Sequence, residues 1–288
     1  MLSSLDNTQL RPSETDDFVI DVRGLARTYK SYKKSEGLWN SVRGLWRREF
    51  IEVEALKPTS FQIPAGQIVG LVGANGAGKT TLLKALSGLI HPSSGDARVL
   101  GYKPWERKND FLKQISLLLG QKNQLWWDIS PADSFELLRK IYDVDKGIAQ
   151  KRVQELSEIL QCTHVLNIQL RRLSLGERMK MELIGALLHQ PRVLFLDEPT
   201  IGLDIVAQTS IRKFLENYVR KQRPTIILTS HYMDDITELA DRLLLMSKGC
   251  LVYDGSVAGF ISKSLKSKNE EVDFESVIHE FLEKESRV

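Results

Sequence analysis

The chain has 288 residues, 42% hydrophobic and 27% charged, with a formal net charge of +3. That is room for one large domain or two smaller ones, and so mild a basic balance gives no nucleic-acid footprint. No run approaches about 18 consecutive apolar residues, so none reads as a membrane-spanning helix, and Cys162 and Cys250 lie too far apart for a metal-type spacing.

Residues 1–17 are polar and acidic, lack the apolar centre of a signal peptide and read as a disordered lead. Residues 18–22 alternate as a strand does. The stretch 30–50 sets Lys30, Lys33, Lys34, Arg43, Arg47 and Arg48 against only Glu36 and Glu49, with Trp39 and Trp46 interleaved. Within it Leu38, Val42 and Leu45 fall at i, i+4 and i+7, the pattern of a short amphipathic helix. Such a helix either meets a membrane surface or a partner, or packs on its own sheet. Residues 51–61 return to strand character, and Pro64-Ala65-Gly66 reads as a turn. A buried strand follows at 68–72, a helix at 82–86 and a loop at 91–95. From about 105 to 180 the composition favours helix, apart from an apolar run at 115–119. Unbroken apolar runs at 193–196, 225–229 and 242–246 read as strands buried on both faces. Strands alternating with helical stretches predict an α/β fold with a mainly parallel, helix-flanked sheet. Beyond about 259 the chain is polar, with Phe274, Val277, Ile278 and Phe281 at helical spacing.

Between the strand at 68–72 and the helix at 82–86 the sequence is Gly73-Ala74-Asn75-Gly76-Ala77-Gly78-Lys79-Thr80-Thr81. This fits the phosphate-cradling P-loop in its required strand–loop–helix context. Backbone N–H groups and the helix start can face a triphosphate, the glycines allow positive φ and close approach, and Lys79 brings a point charge to the β- and γ-phosphates. Thr80 is the expected Mg²⁺ ligand. Asp197-Glu198 directly follows the 193–196 strand. At the carboxyl end of a parallel strand both carboxylates face the ligand crevice, with Asp197 assigned to the Mg²⁺ shell and Glu198 to the attacking water. His231, after the 225–229 strand, reaches the same edge and can hydrogen-bond a γ-phosphate.

At 173–178 the chain reads Leu-Ser-Leu-Gly-Glu-Arg, and from here it resembles the ATP-binding cassette (ABC) family, whose signature is Leu-Ser-Gly-Gly-Gln. The resemblance covers about residues 18–257. It takes in the P-loop, the strand ending Asp197-Glu198-Pro199-Thr200, a D-loop at Ile201-Gly202-Leu203-Asp204, and His231 as the switch histidine. It implies that Gln121 is the Q-loop glutamine, a ligand of Mg²⁺ or the water, and that Tyr29 stacks on adenine. The implied fold is a P-loop NTPase with an N-terminal antiparallel β subdomain, a basic insertion at about 30–50, and a helical subdomain at about 105–180 carrying the signature. Residues 258–288 form a tail with a short helix. Two positions depart from the pattern: Leu175 replaces glycine and Glu177 replaces glutamine. Ser174 and Gly176, the residues implied to bind the γ-phosphate of a facing subunit, are kept. The resemblance therefore carries over to binding more directly than to turnover, because the leucine sits where two cassettes close.

The chain has a single P-loop, so the resemblance implies a composite site built by two ATP-binding subunits, a homodimer in the simplest case. It further implies separate transmembrane permease subunits, ATP and Mg²⁺ as cofactors, and a peripheral place on the cytoplasmic side of the membrane. Variants with Leu-Gly-Glu-Arg, Gly120-Gln121 and Leu125-Trp126-Trp127-Asp128 resemble an exporter-like subgroup. Trp126 and Trp127 are either anchors for the membrane partner or core of the helical subdomain. The competing functions are a non-transport ABC ATPase and a regulatory module that binds nucleotide without hydrolysis; Glu198 speaks against the latter.

Overall fold

The computed structural model describes residues 18–32, 50–120, 123–230 and 232–265. The lead at 1–17, the basic amphipathic stretch at 33–49, Gln121, His231 and the tail beyond 265 lie outside the described residues.

Strand β1 (Phe18–Tyr32) pairs antiparallel with β2 (Phe50–Pro64) and with β4 (Ser94–Val99), giving a three-stranded sheet of order β2-β1-β4. The second sheet has six strands: β3 (Ile68–Gly73), β5 (Ile115–Leu119), β6 (Val193–Asp197), β7 (Thr225–Thr229), β8 (Arg242–Ser247) and β9 (Cys250–Ser256). Its order is β5-β6-β7-β3-β8-β9, parallel throughout except for β9. The helices are α1 (Lys79–Leu86), α2 (Asn109–Leu112), α3 (Pro131–Ile141), α4 (Lys146–Ile159), α5 (Leu175–Leu187), α6 (Ile205–Gln222), α7 (Met233–Leu239) and α8 (Val257–Leu265).

The apolar runs become strands because both faces of the parallel sheet are covered. Leu194, Leu196, Ile226, Leu228, Leu243 and Leu245 point into a core shared with α3 to α8. Their neighbours Val193, Phe195, Ile227, Leu244 and Met246 point into a second core shared with α1 and the antiparallel sheet. Alternate side chains go to opposite faces, so burial on both sides demands an unbroken apolar string.

Several local expectations change. Ser94 and Gly95 open β4 rather than closing a loop. The stretch 105–180 is less helical than its composition suggests: 123–130 and 160–174 contain only turns, short 3₁₀ segments and irregular chain. Helix α5 begins at Leu175 and runs past 180 to Leu187.

Start positions follow capping chemistry. Ser130, Asp145, Ser174 and Asp204 each accept a hydrogen bond from a backbone N–H in the first turn of the helix they precede. Helix α1 is different. Its cap is Gly78 at φ 103°, with no side-chain acceptor, so the start of α1 is left to backbone groups alone.

Candidate functional site

Strand order assembles the site. β7 lies between β6 and β3, and in register Thr229 stands beside both Asp197 and Leu71. The carboxyl ends of these three strands therefore converge where β3 feeds the P-loop. The loop is pressed tightly onto its surroundings. A Cβ on Gly73 would lie 2.2 Å from the Met246 carbonyl oxygen, and one on Gly78 would lie 2.4 Å from that of Ala55. Both also have positive φ, 156° and 103°, so glycine is required twice over. Ala74 and Ala77 close the loop through the Ala77 N–H, which donates to the Ala74 carbonyl at 3.0 Å.

Lys79 is buried at the start of α1, and its Nζ donates to the carbonyls of Gly73 at 2.6 Å and Ala74 at 3.2 Å. Burial lowers its pKa, opposed by the nearby charges of Glu198 and Asp197. An ammonium held this way points into its own loop and gains from an anion there. One residue on, the Thr80 hydroxyl donates to Asp197 Oδ2 at 2.8 Å. The Thr229 hydroxyl donates to Asp197 Oδ1 at 2.7 Å and accepts from the Glu198 N–H at 2.9 Å. Glu198 itself has φ 55°, a conformation that the double hold on its N–H, from Thr229 Oγ1 and the Thr229 carbonyl at 3.1 Å, over-determines. On the other side of β6, the Gly120 N–H donates to the Asp197 carbonyl at 2.8 Å. A Cβ on Gly120 would sit 2.1 Å from the Glu198 carbonyl oxygen, so only glycine fits.

This donor set suits a nucleotide with a hard cation. Lys79, the loop amides and the uncapped helix start supply positive potential, and Thr80 with Asp197 supplies two adjacent oxygens. Mg²⁺ is commonly held by one or two carboxylates together with substrate phosphates. Among the described residues no group of three or more His, Cys, Asp or Glu forms a metal site of its own.

The expected signature and D-loop residues form a second group. Ser174 caps α5 reciprocally with Glu177: the Glu177 N–H donates to Ser174 Oγ at 3.3 Å, while the Ser174 N–H and hydroxyl donate to Glu177 Oε2 at 2.9 and 2.8 Å. Those bonds hold the Glu177 carboxyl below its ordinary range. The departure from glutamine thus has a local role as a capping acid. Asp204 caps α6 by accepting from the Ala207 N–H at 2.8 Å. The two loops touch: a Cβ on Gly202 would meet Leu175 Cδ2 at 3.3 Å, and one on Gly176 would meet Ala207 Cβ at 3.2 Å. Tyr29 pairs with Val53, two residues from the Ala55 carbonyl that abuts Gly78, and the Arg27 guanidinium lies 4.6 Å from its ring centre. Trp126 and Trp127 are each 42% exposed. They are not core of the helical layer.

Three residues escaped the sequence reading. Thr229 binds both acidic residues, yet it reads there only as the end of a strand. Asp235, 1% exposed, accepts from the Thr200 and Ser230 hydroxyls, at 2.5 and 2.6 Å, and pairs with Arg212 at 3.2 Å. Glu182 is buried in α5. For Thr229, the one polar side chain ending an apolar run beside Ser230 was the available signal.

A P-loop buttressed by an acidic strand end, together with a capped signature helix, defines an ATPase cassette. The model of the ABC transporter family matches residues 56–201, and the chain belongs to that family as an ATP-binding, ATP-hydrolysing component. It is 30% identical over 205 residues to the ABC transporter ATP-binding protein NatA of Bacillus subtilis, covering 71% of this chain and 83% of NatA. Over 241 residues it is 29% identical to the doxorubicin resistance ATP-binding protein DrrA of Mycobacterium tuberculosis, covering 84% of this chain and 66% of DrrA. Among solved structures, the ATP-binding subunit of an ABC transporter superposes with a TM-score of 0.72 at 19% identity, covering 91% of this chain and 98% of that one. A dimeric bacterial ABC transporter cassette, MJ0796, gives 0.69 at 20% identity, covering 83% and 98%. These two likenesses support the fold.

Proposed function

We propose that two copies of this chain, head to tail, close over two MgATP molecules and thereby drive a separate membrane permease, most simply an exporter. The observation that carries this reading is the division of the site into two groups. In one group Lys79 bonds the P-loop carbonyls, and Thr80, Asp197 and Thr229 form a hydrogen-bonded chain beside the loop. The other, Ser174, Gly176 and Asp204, sits at the starts of α5 and α6. A P-loop nucleotide in one copy would be completed by the signature group of the other.

In this arrangement Lys79 and the loop amides hold the phosphates, and Thr80 and Asp197 hold Mg²⁺, which withdraws charge from the phosphate oxygens. Glu198 orients and deprotonates the attacking water. His231 and Gln121 are assigned to the γ-phosphate and to the cation and water, Tyr29 to the adenine, and Asn75, Gly76 and Thr81 to the rest of the phosphate cradle. Among the described residues no helix is long and apolar enough to cross a membrane, which fits a peripheral subunit acting from the cytoplasmic side on separate membrane proteins. The export direction draws on DrrA, a resistance protein by name.

Glu198→Gln separates binding from turnover. With MgATP it is expected to accumulate as a dimer in analytical ultracentrifugation while kcat falls by about 10²-fold or more. Lys79→Ala is expected to weaken nucleotide binding and give no dimer. A Glu198→Gln protein that turns over normally, or stays monomeric at saturating MgATP, overturns the reading.

A further inference from the structure

Glu182 lies two turns beyond the start of α5 and is 4% exposed. Among the described residues no salt bridge reaches it; its carboxylate accepts from backbone. The Gln124 N–H donates to its two oxygens at 3.0 and 3.1 Å, and the Leu125 N–H at 3.2 and 3.3 Å. One turn earlier, Arg178 sets its guanidinium 4.8 Å from the centre of the Trp127 ring. One turn later, Gly185 makes room for Leu125: a Cβ there would lie 3.1 Å from Leu125 Cδ2. Positions 178, 182 and 185 share a face of the helix. That face grips 124–127.

The gripped stretch has neither helix nor strand of its own, so its N–H groups, that of buried Leu125 above all, need partners from elsewhere. An aliphatic side chain at 182 would fill the space and leave two N–H groups unpaired. Burial pushes the Glu182 carboxyl up to about 7, opposed by the Leu125 and Gln124 N–H groups and by Arg178. A carboxyl is a costly filler at such a site, and what its oxygens gain is the fixed backbone of one segment. That segment leads directly into Trp126 and Trp127, both exposed. The same helix, about 12 Å back along its axis, begins at the Ser174 cap.

We propose that Glu182 is a positioning residue that locks the exposed Trp126–Trp127 pair to the signature helix, so that a displacement of α5 at nucleotide moves both tryptophans as part of one rigid piece. This rests on the nucleotide-driven closure proposed above. Coupling then passes through a named physical link: two hydrogen-bonded amides and one stacked ring. The side chain touches no nucleotide and is no catalytic residue.

The test is tryptophan fluorescence in the full chain with Trp39, Trp46 and Trp105 changed to Phe, which leaves Trp126 and Trp127 as reporters. Saturating MgATP is expected to shift their emission. Glu182→Met keeps the length and removes both acceptors. It is expected to shrink the MgATP-induced shift at least about fivefold while Kd, read with a fluorescent ATP analogue, stays within about twofold. Glu182→Gln keeps one acceptor oxygen and is expected to retain the shift, an outcome that loss of stability alone would not produce. Thermal melts check folding. Should the Met protein not fold, Arg178→Gln removes the ring contact without leaving an N–H unpaired, and is expected to lower the shift about twofold or more. Full MgATP response in the Met protein, or in the Arg178→Gln protein where the Met protein fails to fold, overturns the assignment, as does a parent that shows no shift while its Glu198→Gln counterpart pairs on MgATP. A Glu198→Gln counterpart that binds MgATP but stays monomeric in ultracentrifugation would overturn the closure reading itself, so the two failures are told apart by oligomeric state.

Discussion

Thr229 ties the carboxylate of Asp197 to the backbone of Glu198. Its single hydroxyl donates to Asp197 and accepts from the Glu198 N–H, so one atom acts on both the rotamer of Asp197, together with Thr80, and the left-handed turn at Glu198, together with the Thr229 carbonyl. Valine is nearly the same shape and cannot do either. Thr229→Val is therefore expected to leave nucleotide Kd within about threefold but to lower kcat by about 10- to 100-fold, because misplacing a water-orienting group by about an ångström costs that much. Steady-state kinetics and a nucleotide titration on the same protein check it; an unchanged kcat would remove Thr229 from the site. Lys79, by contrast, was readable in advance. Its role depends on spacing within nine consecutive residues, whereas the role of Thr229 depends on β7 lying between β6 and β3, an order that local spacing does not encode.

Among elements, what the sequence disclosed follows the burial. The central strands β3, β6, β7 and β8 are apolar on both faces and appear as unbroken runs. β9 is half-exposed along its length, with no fully buried residue, and its apolar stretch 250–253 breaks off midway into Asp-Gly-Ser. β4 opens with Ser-Gly-Asp, which reads as loop until pairing with β1 is supplied. The helical reading of 105–180 overreached for a related reason: charge-rich composition does not separate helices from the irregular chain that α5 holds in place. Asp235 shows what such tertiary links contribute. It joins Thr200, two residues beyond Glu198, to Ser230, which precedes His231, and both to Arg212 on α6. Removing one member of a buried ion pair costs about 3–5 kcal/mol. Arg212 keeps Glu238 at 2.7 Å, which places Asp235→Ala at the low end, about 3 kcal/mol. Asp235→Asn, which retains an acceptor for both hydroxyls, is expected to cost less than half as much. Urea denaturation measures both, and equal losses would mean that charge, not the shared acceptor, holds these loops.

At the scale of the whole molecule, the proposed coupling needs a surface that leads from the nucleotide to a permease. The sequence left Trp126 and Trp127 divided between partner anchor and core, since two adjacent tryptophans carry no periodicity. Burial removes the second option. Each tryptophan is exposed, and Trp127 is backed by Arg178. A cation–π contact at an exposed site is worth about 0.5–1 kcal/mol, so changing both tryptophans to alanine is expected to lower the stability of the isolated chain by only about 1–2 kcal/mol. The effect on assembly is expected to be far larger, because aromatic anchors at the centre of an interface dominate its energy. In pull-downs from detergent-solubilised membranes, the Trp126→Ala, Trp127→Ala protein should recover the permease at least about tenfold less well than the parent, with MgATP binding intact. Full recovery would place the docking surface elsewhere and leave the basic stretch at 30–50 as the segment to test next, by changing Arg43, Arg47 and Arg48 to Glu and measuring binding to anionic liposomes.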